Sequence, residues 1–164
     1  MFKKLTLLLL LASLPALVGA EEKVEDADAK ITAGPADAQE KDKPGPIDED
    51  ATKEFKKTDS GLKYCILRKS EKDKPRAQDT VQVHYKGWLD NETIFDSSYR
   101  RGKKISFPLN RVIPGWTEGM QLVGVGGMIE LEIPPELGYG RRGAGSAVPP
   151  NATLHFVVEL FDIK

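Results

Sequence analysis

Pro114-Gly115-Trp116-Thr117-Glu118-Gly119-Met120-Gln121-Leu122 is the one stretch of this chain that reads clearly as helix. Pro114 suits the first helical position, where its missing N–H would have had no intrahelical partner, and the pattern runs to about Leu122. Trp116 and Met120, four residues apart, share one face and point it inward. Gly124, Gly126 and Gly127 then end the helix and turn the chain into a new run from Met128. Around this helix the apolar residues recur with period two: Val81, Val83 and Tyr85; Ile105, Phe107 and Leu109; Ile129, Leu131 and Ile133; Leu154, Phe156, Val158 and Leu160. That alternation predicts short antiparallel strands with one polar face. One short helix cannot cover a flat sheet, so the economical arrangement is a twisted antiparallel sheet of about five strands wrapped around it, in the α+β class.

Composition divides the 164 residues into three parts. Residues 1–20 read as an export signal: Lys3 and Lys4, a mostly apolar run from Leu5 to Val18, then the small residues Gly19 and Ala20. A membrane anchor is the alternative, but the run is shorter than the roughly 20 apolar residues a bilayer crossing needs and is interrupted by Ser13 and Pro15, so no stable insertion is expected. Residues 21–54 hold twelve acids against five bases, with Val24, Ile31 and Ile47 as their branched apolar groups. Too little surface can be buried there to offset the ordering entropy, which predicts a disordered acidic spacer. Residues 55–164, with seventeen bases against thirteen acids, form the expected folded domain. A formal net charge of −1 gives no argument for a nucleic-acid partner, and with no helical extension ahead of the domain a monomer is expected.

The chain has one cysteine, Cys65, so an internal disulfide is excluded. It sits in the alternating run Leu62 to Leu67, where a buried, inert thiol is expected. His84 and His155 occupy alternating strands with no carboxylate or cysteine at ligand spacing, so no metal site is expected. Gly138-Tyr139-Gly140-Arg141-Arg142-Gly143 matches the dinucleotide fingerprint by letter. That fingerprint works only between a strand and a helix N-terminus, and here Pro134-Pro135 blocks the strand while Gly145, Pro149 and Pro150 forbid the helix. What remains for chemistry is a set of aromatic and branched residues at turns and strand ends, among loops that a rigid sheet would hold. Arg141 to Val148 reads as a glycine-rich flap.

Five blocks carry a more specific signal: Val83-His84-Tyr85, Phe95-Asp96-Ser97-Ser98, Val112-Ile113-Pro114-Gly115-Trp116, Gly138-Tyr139-Gly140 and Pro149-Pro150-Asn151-Ala152-Thr153-Leu154. In this order and at this spacing the chain resembles the FKBP-type peptidyl-prolyl cis-trans isomerases, from about Leu62 to Ile163. The resemblance implies a proline pocket with the Trp116 indole as floor. Tyr85, Phe95, Asp96 and Tyr139 join Trp116 as its catalytic set, with Val112, Ile113, Ile105, Val148 and Phe156 as substrate-contacting residues. By the same implication the Ile113 N–H and the Tyr139 hydroxyl hold substrate carbonyls, Arg101 pairs with Asp96, and no cofactor is needed. Each residue also has a plain structural reading: Trp116 and Phe156 as core, Asp96 as a turn or cap residue. The sequence departs from the family pattern at the rim, with Ile105 where many members carry an aromatic, and with Ala144 and Ala147 in the flap.

The function implied is rotation of X-Pro peptide bonds in exported polypeptide clients, in a periplasm or secretory lumen, with the macrolides tacrolimus and rapamycin as further ligands. The alternative, from a different class, is a chaperone or binding module that grips Pro-containing segments without useful turnover.

Overall fold

The computed structural model describes residues 31–164, so the expected export signal lies outside the described residues. Seven strands form one antiparallel sheet: β1 (Lys56–Lys57), β2 (Lys63–Arg68), β3 (Thr80–Trp88), β4 (Ile94–Ser97), β5 (Ile105–Pro108), β6 (Met128–Ile133) and β7 (Leu154–Ile163). Their order is β1-β2-β6-β7-β3-β4, with β5 also paired to β3. The wrapped antiparallel sheet is the architecture the alternation predicts. The count exceeds five because β1 is a two-residue edge and because β4 and β5 pair with different parts of the long β3.

A one-turn helix α1 (Ser98–Arg101) follows β4, and α2 (Pro114–Gly119) lies across the concave face. Pro114 occupies the first turn of α2, and the helical path tightens into a 3₁₀ turn over Met120–Leu122, which ends where the sequence places the end. Two glycines let α2 sit close on β6: a Cβ on Gly115 would lie 2.6 Å from Ile133 and one on Gly119 2.7 Å from Leu131. Trp116, Met120, Leu131 and Ile133 join Val81, Val83, Phe156 and Val158 in the inner core. Burial of this kind, worth about 1.5–3 kcal/mol per large side chain, is what holds a sheet with no disulfide.

The other face of the sheet departs from the expectation of a solvated polar surface. His84, Lys86, Glu130 and Glu159 point outward yet are all at most 5 % exposed. Residues 31–54, expected to form no fixed contacts, cover them. Ile31 and Ile47 rest on a second apolar cluster of Cys65, Leu67, Trp88, Met128 and Val157. Polar groups do the rest: Glu40 pairs with Lys86 at 2.9 Å, Asp37 with Arg100 at 2.6 Å, and Asp42 reaches His84 at 3.2 Å. Composition counts apolar surface, whereas Asp37 and Glu40 of this segment are held by Arg100 and Lys86 of the helix and sheet beneath.

No helix among the described residues is long and apolar enough to cross a membrane.

Candidate functional site

An open cleft of about 400 Å³ lies between α2, β4, β5 and the turn carrying Tyr139. Its floor is the Trp116 indole, 4 % exposed, which the inward face of α2 presents at the cleft. Three rings meet that indole edge-on or nearly so: Tyr85 at 5.2 Å, Phe107 at 5.3 Å and Phe156 at 5.2 Å between centroids. Phe95 stands perpendicular to Phe156 at 5.5 Å. Edge-to-face pairs of this kind are favourable beyond their buried area, so the rings hold one another in place.

Of the residues expected at the site, Tyr85, Phe95, Asp96, Trp116, Tyr139, Val112, Ile113, Ile105 and Phe156 all line this cleft. Val148 does not. It is 2 % exposed in the inner core and is tied to Ala144 by the bridge that closes the flap. The flap folds back at Val148 to make that bridge, which turns the side chain into the core. Two further residues outside the expected set, Phe107 and Arg111, also line the cleft. The period-two alternation that sets Ile105 on one face of β5 sets Phe107 on the same face, so that signal was present; nothing in the sequence marked Arg111.

One wall of the cleft is polar. Arg101 Nη1 donates to Asp96 Oδ1 at 2.6 Å, Arg101 Nη2 donates to the Tyr85 hydroxyl at 3.0 Å, and that hydroxyl donates to Asp96 Oδ2. The Arg101–Asp96 pair is therefore as the resemblance implies. Burial, and then the hydrogen bond and charge of Asp96, push the Tyr85 phenol up to about 12, so it stays a donor at neutral pH. The Tyr139 phenol is also raised, by burial and then by Asp96. Tyr139 is 41 % exposed, and with Ile105 at 37 % it forms the mouth. Among the described residues the Ile113 N–H, just ahead of α2, has no acceptor, while its carbonyl receives the N–H groups of Trp116 and Thr117. The cleft thus offers an aromatic floor, a bonded carboxylate and, on two of its lining residues, donors with no partner among the described residues, the Ile113 N–H and the Tyr139 hydroxyl.

Elsewhere the readings of single residues are resolved by contact. His84 is buried between Ser98 and Asp42, and His155 bonds Asp90 at 2.7 Å. Among the described residues no group of three or more His, Cys, Asp or Glu side chains is placed to hold a metal ion. The Gly138–Gly143 stretch contains one 3₁₀ turn, Gly140–Arg142, followed by the flap bridge rather than an α-helix, so it lacks the context of a dinucleotide site. Cys65 is buried, and burial followed by the Glu130 charge pushes its thiol up to about 12.

The model of a family described as FKBP-type peptidyl-prolyl cis-trans isomerase matches residues 71–161. A probable FKBP-type peptidyl-prolyl cis-trans isomerase of Haemophilus influenzae is 52 % identical over 112 residues, which are 68 % of this chain and 46 % of that protein. The FKBP-type 22 kDa peptidyl-prolyl cis-trans isomerase of Escherichia coli is 48 % identical over 118 residues, 71 % of this chain and 57 % of that one. The crystal structure of FkpA from Escherichia coli superposes with a TM-score of 0.66 at 48 % identity, covering 69 % of this chain and 53 % of that one. The chain spans about half the length of the curated relatives it matches.

Proposed function

This chain belongs to the FKBP-type peptidyl-prolyl cis-trans isomerase family, and from that premise we propose that it catalyses rotation about X-Pro bonds of polypeptide clients in the cleft above Trp116. The observation that carries the reading is the indole floor itself, walled by perpendicular aromatic rings yet open to solvent at Ile105 and Tyr139.

An X-Pro bond turns over tens to hundreds of seconds unaided because rotation breaks amide resonance, at a barrier of about 18–20 kcal/mol. Water favours the planar, polarised amide. A cleft that replaces water with aromatic faces removes that preference and supports the less polar twisted form. The Ile113 N–H and the Tyr139 hydroxyl hold the flanking carbonyls, so that rotation is confined to one bond in a fixed frame. Asp96 is bonded by Arg101 and by the Tyr85 hydroxyl at the polar wall of the cleft. The step needs no covalent intermediate.

The clients proposed are exported proteins, met beyond the membrane that residues 1–20 would cross as a signal. Macrolides such as rapamycin would enter the same cleft. The test is a protease-coupled assay on a short X-Pro peptide: the wild-type chain accelerates isomerisation, and rapamycin suppresses it. No acceleration would overturn the reading.

A second reading is favoured by one observation: among the described residues Ile105 and Tyr139 are the exposed large apolar side chains, and both stand at the mouth. They offer an unfolded segment a grip whether or not the bond turns. Suppressed aggregation of an unfolded client without acceleration in the peptide assay would select this reading.

A further inference from the structure

We propose that residues 37–42 are a positioning device for the cleft, acting through α1 and Arg101; the proposal rests on the isomerase reading above. Arg101 holds the polar wall, yet its pair with Asp96 is exposed, with side chains 46 % and 41 % accessible. Such a pair contributes little to its own ordering. The Tyr85 hydroxyl and ring give Arg101 further contacts, but these too depend on where the backbone beneath sets the guanidinium, and that backbone is a helix of four residues, far too short to persist alone.

Contacts from outside α1 supply the missing order. The N–H groups of Lys41 and Asp42 donate to the Tyr99 carbonyl at 3.1 and 3.2 Å, an oxygen that also accepts from Gly102. Arg100 Nε donates to Asp37 Oδ2 at 2.6 Å, next in sequence to Arg101. Lys41 also lies against Gly102, the left-handed residue at φ 62° that ends α1. The same segment is pinned to β3 by Glu40 on Lys86 and Asp42 on His84, while His84 and Tyr85 of β3 grip Ser98 from beneath. Residues 37–42 and β3 therefore clamp α1 from two sides. Releasing the outer side frees α1 to tilt, and Arg101 then leaves Asp96 and the Tyr85 hydroxyl, although no residue of the segment lines the cleft.

Asp37→Asn tests this in the full chain. It removes the charge facing Arg100 but keeps an oxygen for the Gln39 N–H that Asp37 also accepts. The expected result is a fall in kcat/KM of about three- to tenfold at a temperature where the variant is fully folded. The same change in an Arg101→Ala background costs nothing further, because the segment acts through that guanidinium. Asp37→Glu restores most of the rate. Amide exchange at Gly102 and Lys103, whose N–H groups bond Tyr99 and Ser98, is faster in Asp37→Asn. Wild-type kcat/KM in Asp37→Asn, or a loss fully additive with Arg101→Ala, would overturn the proposal. A wild-type chain with no isomerase activity sinks the isomerase reading instead; the exchange measurement still stands, and unchanged exchange then sinks the clamp.

Discussion

Gly87 of β3 faces Phe156 of β7 across the sheet, and the Phe156 ring fills the space a side chain at position 87 would need. A Cβ there would lie 2.5 Å from Phe156 and 2.8 Å from Phe95, the two rings that stand at right angles in the cleft wall. The glycine is thus part of the site without touching its contents. Gly87→Ala should displace both rings, cost about 1–3 kcal/mol by overpacking, and lower kcat/KM more than its effect on folding accounts for. Denaturant unfolding and the peptide assay on the same preparation check this.

Phe95→Ala and Trp116→Ala probe the cleft directly. Trp116 is buried in the core as well, so its loss should cost about 3–5 kcal/mol. Phe95 is only half-buried and gives the cleaner result. It should fold normally and lose at least about tenfold in kcat/KM, equivalent to about 1.4 kcal/mol of transition-state stabilisation. Near-wild-type turnover in a folded Phe95→Ala chain would remove Phe95 from the site.

Glu159 is the buried acid that ties the outer face together. It accepts from the Tyr99 hydroxyl at 2.6 Å, from the Gly45 N–H at 3.0 Å and from Arg68 at 2.8 Å. Glu159→Gln keeps the shape and removes the charge, leaving Arg68 without its carboxylate. The expected cost is about 3 kcal/mol, the low end for a broken buried pair, since Arg68 keeps the Pro46 and Gly126 carbonyls. A urea midpoint unchanged from wild type would contradict it.

His84 should make stability depend on pH. Burial holds its imidazole below the ordinary value of about 6.5, against the opposing pull of Asp42 and Glu159; Lys104 lowers it further. A base lowered on folding binds protons more readily in the unfolded chain. Its contribution is therefore complete above about 6.5 and is lost as pH falls from there through the lowered value. Glu130, raised by burial above its ordinary 4.5, has the opposite slope in a window that opens at that value. Urea midpoints at pH 7.5 and 5.5 should fall for wild type and differ less for His84→Gln; equal slopes would exclude His84 as the origin.

The period of the side chains carried most of the architecture. Alternation marks β3, β6 and β7 because one face of each is apolar, and Pro114 with the later glycines brackets α2 by backbone chemistry alone. These are local properties and survive in a linear string. The cleft was legible to the extent that its residues sit in characteristic short blocks, Phe95-Asp96 and Val112 to Trp116 among them.

Three features could not be read in this way, because each is decided only when the chain folds back on itself. Val148 turns inward because a bridge with Ala144 closes the flap, and Arg111 reaches the cleft without any local pattern to announce it. The acidic segment over 31–54 lies on the sheet because Lys86, His84 and Arg100, dozens of residues away, present two cations and an imidazole at matching positions. Pairings between distant polar groups leave no periodicity in either partner. They arise when the sheet brings those groups together, and only the folded chain shows which acid meets which base.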